Sequence, residues 1–121
     1  MKYLLFLSLC FLSSFSIASG EDIYIAVCAN CHASGQNNAP MMGDKKRWSK
    51  LIKDGQAHIT SDGYYGVRAM PPKGGKSDLT VVEFASAVVY MANQAGANWS
   101  EPDEAMLKDI NRRIAKKSPK P

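Results

Sequence analysis

Within five positions the 121-residue chain places three side chains that can bond a metal or carbon: Cys28, Cys31 and His32, in the stretch "CANCHASGQNNAP". Two thiols two residues apart can cycle as a redox dithiol, supply half of a zinc site, or form thioethers with the vinyl groups of a haem whose iron the next histidine then ligates. A thioredoxin-like dithiol stands beside a βαβ pattern, and no stretch of this chain alternates as strands do. Zinc takes four ligands in a closed structural site. His58 is the one other histidine, so a Cys₂His₂ set is formally available, although His32 directly after Cys31 is poorly placed to share an ion with both thiols. Covalent haem fits the spacing best. One helical turn presents both sulfurs to the macrocycle and brings the histidine under the iron.

The compartment agrees with that chemistry. The opening "MKYLLFLSLCFLSSFSIASG" has one lysine, an apolar run from Tyr3 to Ile17 and small residues at Ser16, Ala18, Ser19 and Gly20. This is the layout of a secretory signal peptide, expected over residues 1–19, and its apolar part is short of the roughly 20 residues a bilayer span needs. Cys10 lies within it, leaving Cys28 and Cys31 as the cysteines of the exported product. A secreted disulfide scaffold would spread more crosslinks along the chain. Bacterial haem attachment takes place outside the cytoplasm, where such a leader delivers the chain, so the expected location is the periplasm.

Six-coordinate iron needs a second axial ligand. Met41 and Met42 lie close behind the cysteine cluster, and Met91 and Met106 fall in helical stretches where methionine fills cores. Met70 stands in "AMPPKGG", a loop stiffened by two prolines that can lie along a haem face and aim one thioether at the metal. Met70 is the expected ligand and His58 its runner-up.

The elements around these residues read as helices. A short one is expected to end at the cysteine cluster, and another runs along "KKRWSKLIKDG" with Trp48, Leu51 and Ile52 at helical spacing. "AHITSDGYYGV" is ambiguous and is read as a short helix between turns. Prolines keep "RAMPPKGGKSD" irregular. "DLTVVEFASAVVYMANQAG" is the clearest helix, capped by Thr80 with Glu83 three residues on and closed by Gly96. A last helix is expected from a Ser100 cap through "SEPDEAMLKDINRRIAKK". The fold class is all-α, with a domain over residues 20–99 and an additional helix and basic tail over 100–121.

Charge is unevenly placed. From Gly20 to Asn111 nine Lys or Arg face eleven Asp or Glu, while Arg112, Arg113, Lys116, Lys117 and Lys120 crowd into the last ten residues. Nucleic-acid binding would want such charge interleaved with stacking aromatics; no nucleic-acid partner is expected. The tail reads either as a solvated helix end or as a weak contact for an acidic partner or membrane surface.

In "CANCH", "AP" at Ala39–Pro40, "GD" at Gly43–Asp44, Trp48, "AMPPKGG" and "VVYM", the chain resembles the class I c-type cytochromes, and most of all the cytochrome c5 branch, from about Gly20 to Ala95. The resemblance implies one haem c held by Cys28 and Cys31, with His32 and Met70 as axial ligands. It also implies a hydrogen bond from His32 Nδ1 to the Pro40 carbonyl, and a crossing of the first and long helices near Tyr24 and Tyr90. The second cysteine pair that many members carry after the Gly-Gly is replaced here by "KSDLT", and beyond Ala95 the likeness stops. With both axial positions closed, the expected function is a periplasmic one-electron carrier between redox proteins rather than an enzyme. The rival reading is the haem-bearing subunit of a larger periplasmic oxidoreductase.

Overall fold

The computed structural model describes residues 16–118. Most of the expected signal peptide, residues 1–15, and the end of the tail, residues 119–121, lie outside the described residues.

Helix α1 (Gly20–Ile23) starts at a reciprocal cap. The Ser19 hydroxyl accepts from the Asp22 N–H, and the Asp22 carboxylate accepts from the Ser19 N–H at 3.1 Å. The chain stays helical through a π-helical stretch (Tyr24–Cys28) into α2 (Ala29–His32). This opening segment crosses the long helix α5 (Val81–Gln94). A Cβ at Gly20 would stand 2.2 Å from the Ser86 carbonyl oxygen, so only glycine lets the two backbones approach so closely. Tyr24 and Tyr90 flank the crossing with ring centroids 5.6 Å apart, as the resemblance implies.

Helix α3 (Lys45–Asp54) is amphipathic: Trp48 is buried, Leu51 and Ile52 pack on the core, and Asp44 caps the N-terminus by accepting from the Arg47 N–H. After Gly55, which turns the chain at φ 98°, α4 (Gln56–Tyr65) forms a full ten-residue helix ended by Gly66 at φ 100°. The sequence is ambiguous here for a physical reason. Ala57 packs into one apolar cluster while Ile59 and Tyr64 pack against another. A helix covered on two sides has no single apolar stripe to read.

Helix α5 begins as its sequence predicts, with Thr80 and Glu83 in a capping box. Its residues Phe84, Ala87, Val88, Met91 and Ala92 join Ile23, Val27, Cys28 and Trp48 in the main core. Among the described residues the one β-type feature is an isolated antiparallel bridge between Val67 and Met70, and the architecture is all-α.

The last helix, α6 (Glu104–Lys117), starts later than the Ser100 cap would have it. Asp103 is the cap, accepting from the Met106 N–H at 2.8 Å. Pro102 explains the shift, because it biases Glu101 away from helical backbone. Ser100 instead accepts a hydrogen bond from the Gln56 side chain. Far from being an appendage, α6 closes a second small core: Ile110 is fully buried against Ala57 of α4 and Ala85 of α5, with Val81, Met106 and Ile114 around it.

Candidate functional site

Cys28 ends the π-helical stretch, and Cys31 and His32 lie on α2. Both thiols are free; Cys28 is buried and Cys31 half-buried. Burial pushes the Cys28 thiol up to about 11, so before any bond is made it is a neutral group in an apolar setting. His32 is buried, and its Nδ1 lies 2.8 Å from the Pro40 carbonyl oxygen. A carbonyl only accepts, so Nδ1 carries the proton and Nε2 presents its lone pair. That second nitrogen has no hydrogen-bond partner among the described residues.

The loop that delivers Pro40 is held from both sides by α3. The Arg47 guanidinium donates to the Asn38 carbonyl at 2.7 Å and to the Ala39 carbonyl at 3.2 Å. On the other side the Trp48 indole N–H donates to the Met41 carbonyl at 3.1 Å. The Trp48 ring also stands beside the His32 imidazole, with centroids 6.5 Å apart. Neither role is legible in the sequence, because each joins residues seven to nine positions apart across an irregular loop.

Met70 is presented by a tight turn in which it and Val67 exchange two backbone hydrogen bonds. Pro71 then continues extended, and a 3₁₀ turn (Pro72–Gly75) follows. Gly74 approaches the π-helical stretch so closely that a Cβ there would meet Val27 Cγ1 at 3.2 Å. Against α4, a Cβ on Gly63 would stand 2.9 Å from Phe84 Cζ and 3.4 Å from Met70 Cε, so Gly63 makes room for both side chains. Tyr64 packs edge-on to Phe84 with centroids 5.7 Å apart, and its hydroxyl donates to the Leu79 carbonyl. The Lys73 ammonium lies 4.7 Å above the Tyr64 ring.

Met70, Cys28 and Trp48 thus meet in one core. Among the other candidate ligands, Met41 is exposed and Met106 packs into the second cluster, while Met91 is a buried member of this same core on α5. His58 is solvent-facing and 3.4 Å from Asp62. Met42 remains beside the main core.

The residues present suit a covalently held haem. Met42, Leu51, Ile52, Ile59, Tyr64 and Met70 pack against the core, yet the protein's own atoms leave them only partly buried. Such a lining accepts a large apolar plate, while two thiols and an imidazole with a free nitrogen supply the bonds. Among the described residues no three of His, Cys, Asp or Glu gather to hold a metal ion, which leaves the zinc reading without its ligands. Among the described residues no strand pair accompanies the cysteines as a thioredoxin-like dithiol would want.

Comparison with known proteins agrees. The family model described as "Cytochrome C oxidase, cbb3-type, subunit III" matches residues 15–91, a stretch that ends before α6. Cytochrome c-555 of Chlorobaculum tepidum is 38% identical over 86 residues, covering 68% of this chain and 80% of the relative. Cytochrome c5 of Azotobacter vinelandii is 34% identical over 76 residues, covering 61% of this chain and 92% of its own length. The likeness is therefore shared between the c-555 and c5 proteins. Among solved structures, a chain of an electron-transfer complex of nitrite reductase with cytochrome c aligns at a TM-score of 0.61 with 38% identity, covering 63% of this chain and 93% of that one. Its relatives are small electron-carrying cytochromes, and membership implies haem c bound covalently, for which Cys28 and Cys31 have the required spacing. The chain belongs to the class I monohaem c-type cytochromes.

Proposed function

We propose that the protein is a periplasmic one-electron carrier whose haem c is held by thioethers from Cys28 and Cys31 and ligated by His32 and Met70. The observation that carries the reading is the His32–Pro40 hydrogen bond at 2.8 Å, which fixes the imidazole tautomer and leaves Nε2 free to bind iron. Bound there, haem c supplies one reversible electron at its iron.

The chain's own residues set how that electron is held. The Pro40 carbonyl raises the basicity of the imidazole through the Nδ1 proton. The Met70 thioether is a soft ligand that favours the ferrous state, and His/Met haems have raised potentials. Leu51, Ile52, Ile59 and Tyr64, half-buried against the core, would keep water from a haem held there, which would further disfavour the extra charge of ferric iron. With His32 and Met70 both given to the iron, a bound haem would leave no place for a substrate, which supports action by contact with other redox proteins rather than as an enzyme. Such contacts are transient and small, below about 1,200 Å² in total. The nitrite reductase paired with cytochrome c in the similar solved complex illustrates the class of partner. The basic tail adds at most a weak electrostatic contact to an acidic partner or membrane surface.

Acid–acetone extraction tests the attachment: haem stays with the polypeptide, and haem passing into the organic phase refutes the thioethers. The ligand is tested by the weak long-wavelength sulfur-to-iron band of the oxidised protein, which Met70→Ala abolishes. Loss of that band in Met42→Ala, with Met70→Ala unaffected, would move the ligand to Met42.

A second reading, the haem-bearing subunit of a larger periplasmic oxidoreductase, is favoured by the description of the matching family model, which names an oxidase subunit. Co-purification of a stoichiometric partner from the native source separates it from the free carrier.

A further inference from the structure

Outside α3, most cations among the described residues are already engaged. Arg112 and Arg113 both pair with Asp109, Lys117 pairs with Asp62 at 2.6 Å, and Lys76 pairs with Asp78 at 2.8 Å. Arg47 is spent on loop carbonyls, and Lys73 on the Ser77 carbonyl and the Tyr64 ring. Within the basic tail, Arg112, Arg113 and Lys117 are thus held by two carboxylates, while Lys116 has no acidic partner among the described residues. Helix α3 differs. Lys45, Lys46, Lys50 and Lys53 are all exposed, and none has an acidic partner among the described residues. Lys46, Lys50 and Lys53 recur at i, i+4 and i+7, which puts them on one helical face. Elsewhere the unengaged cations, Arg68, Lys108 and Lys116, are outnumbered.

The opposite face of α3 is the one that serves the site. It buries Trp48 beside His32, and Arg47 and Trp48 clamp the loop bearing Pro40. A partner seated on the lysines is thus separated from the His32 side of the site by one helix, about 10–12 Å across with side chains. Four unpaired like charges on one short helix repel one another, a cost that a complementary surface removes on docking.

We propose that the lysine face of α3 is the docking surface for an acidic face of a redox protein, a deepening that rests on the carrier function proposed above. A membrane surface is the poorer occupant. Helices that lie on lipid pair their lysines with apolar residues entering the acyl boundary, and α3 turns Trp48, Leu51 and Ile52 inward.

The test compares two holoprotein variants of equal charge change, Lys46→Gln/Lys50→Gln on α3 and Lys108→Gln/Lys116→Gln on α6. Hexacyanoferrate(III) serves as the anionic oxidant: ferrous haem becomes ferric, and the probe takes the one electron to become hexacyanoferrate(II). At about 0.01 M ionic strength the α3 variant should react several-fold to about tenfold more slowly than the parent, and the gap should close as salt shortens the Debye length from about 30 Å to a few Å. The α6 variant should follow the parent. Equal slowing in both variants means that net charge alone matters and overturns the proposal.

Binding to poly-L-glutamate, measured by calorimetry, gives a readout that does not depend on electron transfer. It should weaken in the α3 variant and not in the α6 variant. Sedimentation with phosphatidylglycerol vesicles that is lost in the α3 variant, while poly-L-glutamate binding is unchanged, would replace the protein partner by a membrane and overturn the assignment. Haem content and spectrum are recorded first: a failure there refutes the carrier reading, whereas normal haem with indifferent α3 charges refutes only the docking face.

Discussion

Val67 and Met70 face each other across a two-residue turn, each N–H donating to the other's carbonyl at 3.1 and 2.9 Å. The proposed ligand therefore hangs from a closed loop whose backbone is already fixed, which limits the entropy lost when its thioether takes up one position.

That turn carries a local strain. Arg68, its first central residue, has φ 52°, while Ala69 does not share the positive φ. This is the pattern of a type II′ turn, which prefers glycine at that place. Arg68→Gly should stabilise the protein by about 0.5–1 kcal/mol, the left-handed penalty less the extra unfolded-state freedom of glycine. Arg68→Val should act in the opposite direction. Urea titrations followed by the long-wavelength band measure both, and an unchanged midpoint in either variant would show the turn to be unstrained.

Gly63 lets α4 approach Phe84 and Met70 together. In Gly63→Ala the new methyl meets the Phe84 ring edge at 2.9 Å, so ring or helix must shift. A loss of about 1–3 kcal/mol is expected from overpacking. The methyl also abuts Met70 Cε, so the long-wavelength band should move or weaken, a response that general destabilisation far from the site would not give.

Ile110 is the anchor of α6. Ile110→Ala should cost about 2–5 kcal/mol by chemical denaturation, the range for a buried aliphatic side chain cut back to alanine. A chain ending at Asn111 keeps Ile110 but loses Ile114 and the Lys117–Asp62 ion pair. It should still hold haem, because the proposed ligands precede the cut, and it should melt earlier than the full chain. An unchanged melting temperature would show that the last turns of α6 carry no stability.

The Thr80–Glu83 cap gives a pH signature. Hydrogen bonds from the Thr80 N–H and hydroxyl hold the Glu83 carboxyl below its ordinary value. A carboxylate depressed in the folded state adds stability above its unfolded pKa, about 4.3, and that contribution is lost as pH falls through the folded value. The stability difference between parent and Glu83→Gln should thus be steady near neutrality and shrink below about pH 4.3. A difference that grows on acidification would contradict the assigned hydrogen bonds.

The cysteine spacing, α5 and its cap were readable because each rests on local spacing. What was not readable depends on tertiary neighbours. Helix α4 has no stripe because it is covered on two sides, and the start of α6 is decided by Pro102 rather than by the first capping residue met. Arg47 reaches back nine residues to brace the loop around Pro40, and no periodicity announces such a contact. The tail's charge was visible, but the pairing of Arg112, Arg113 and Lys117 with Asp109 and Asp62 was not, since Asp62 lies on a different helix.

The π-helical stretch Tyr24–Cys28 acts as a phase adjuster between two fixed fittings. Upstream, Ile23 and Gly20 must face α5; downstream, Cys28 and His32 must face the interior. In a regular α-helix each residue advances the face by about 100°, so one residue more or fewer between the fittings would swing one of them away. A wider turn absorbs a residue locally without re-aiming either end. Deleting Ala26 should accordingly convert the stretch to regular α-helix while Gly20 and the cysteines keep their facing, whereas deleting one further residue would rotate the cysteines by about 100° relative to α5.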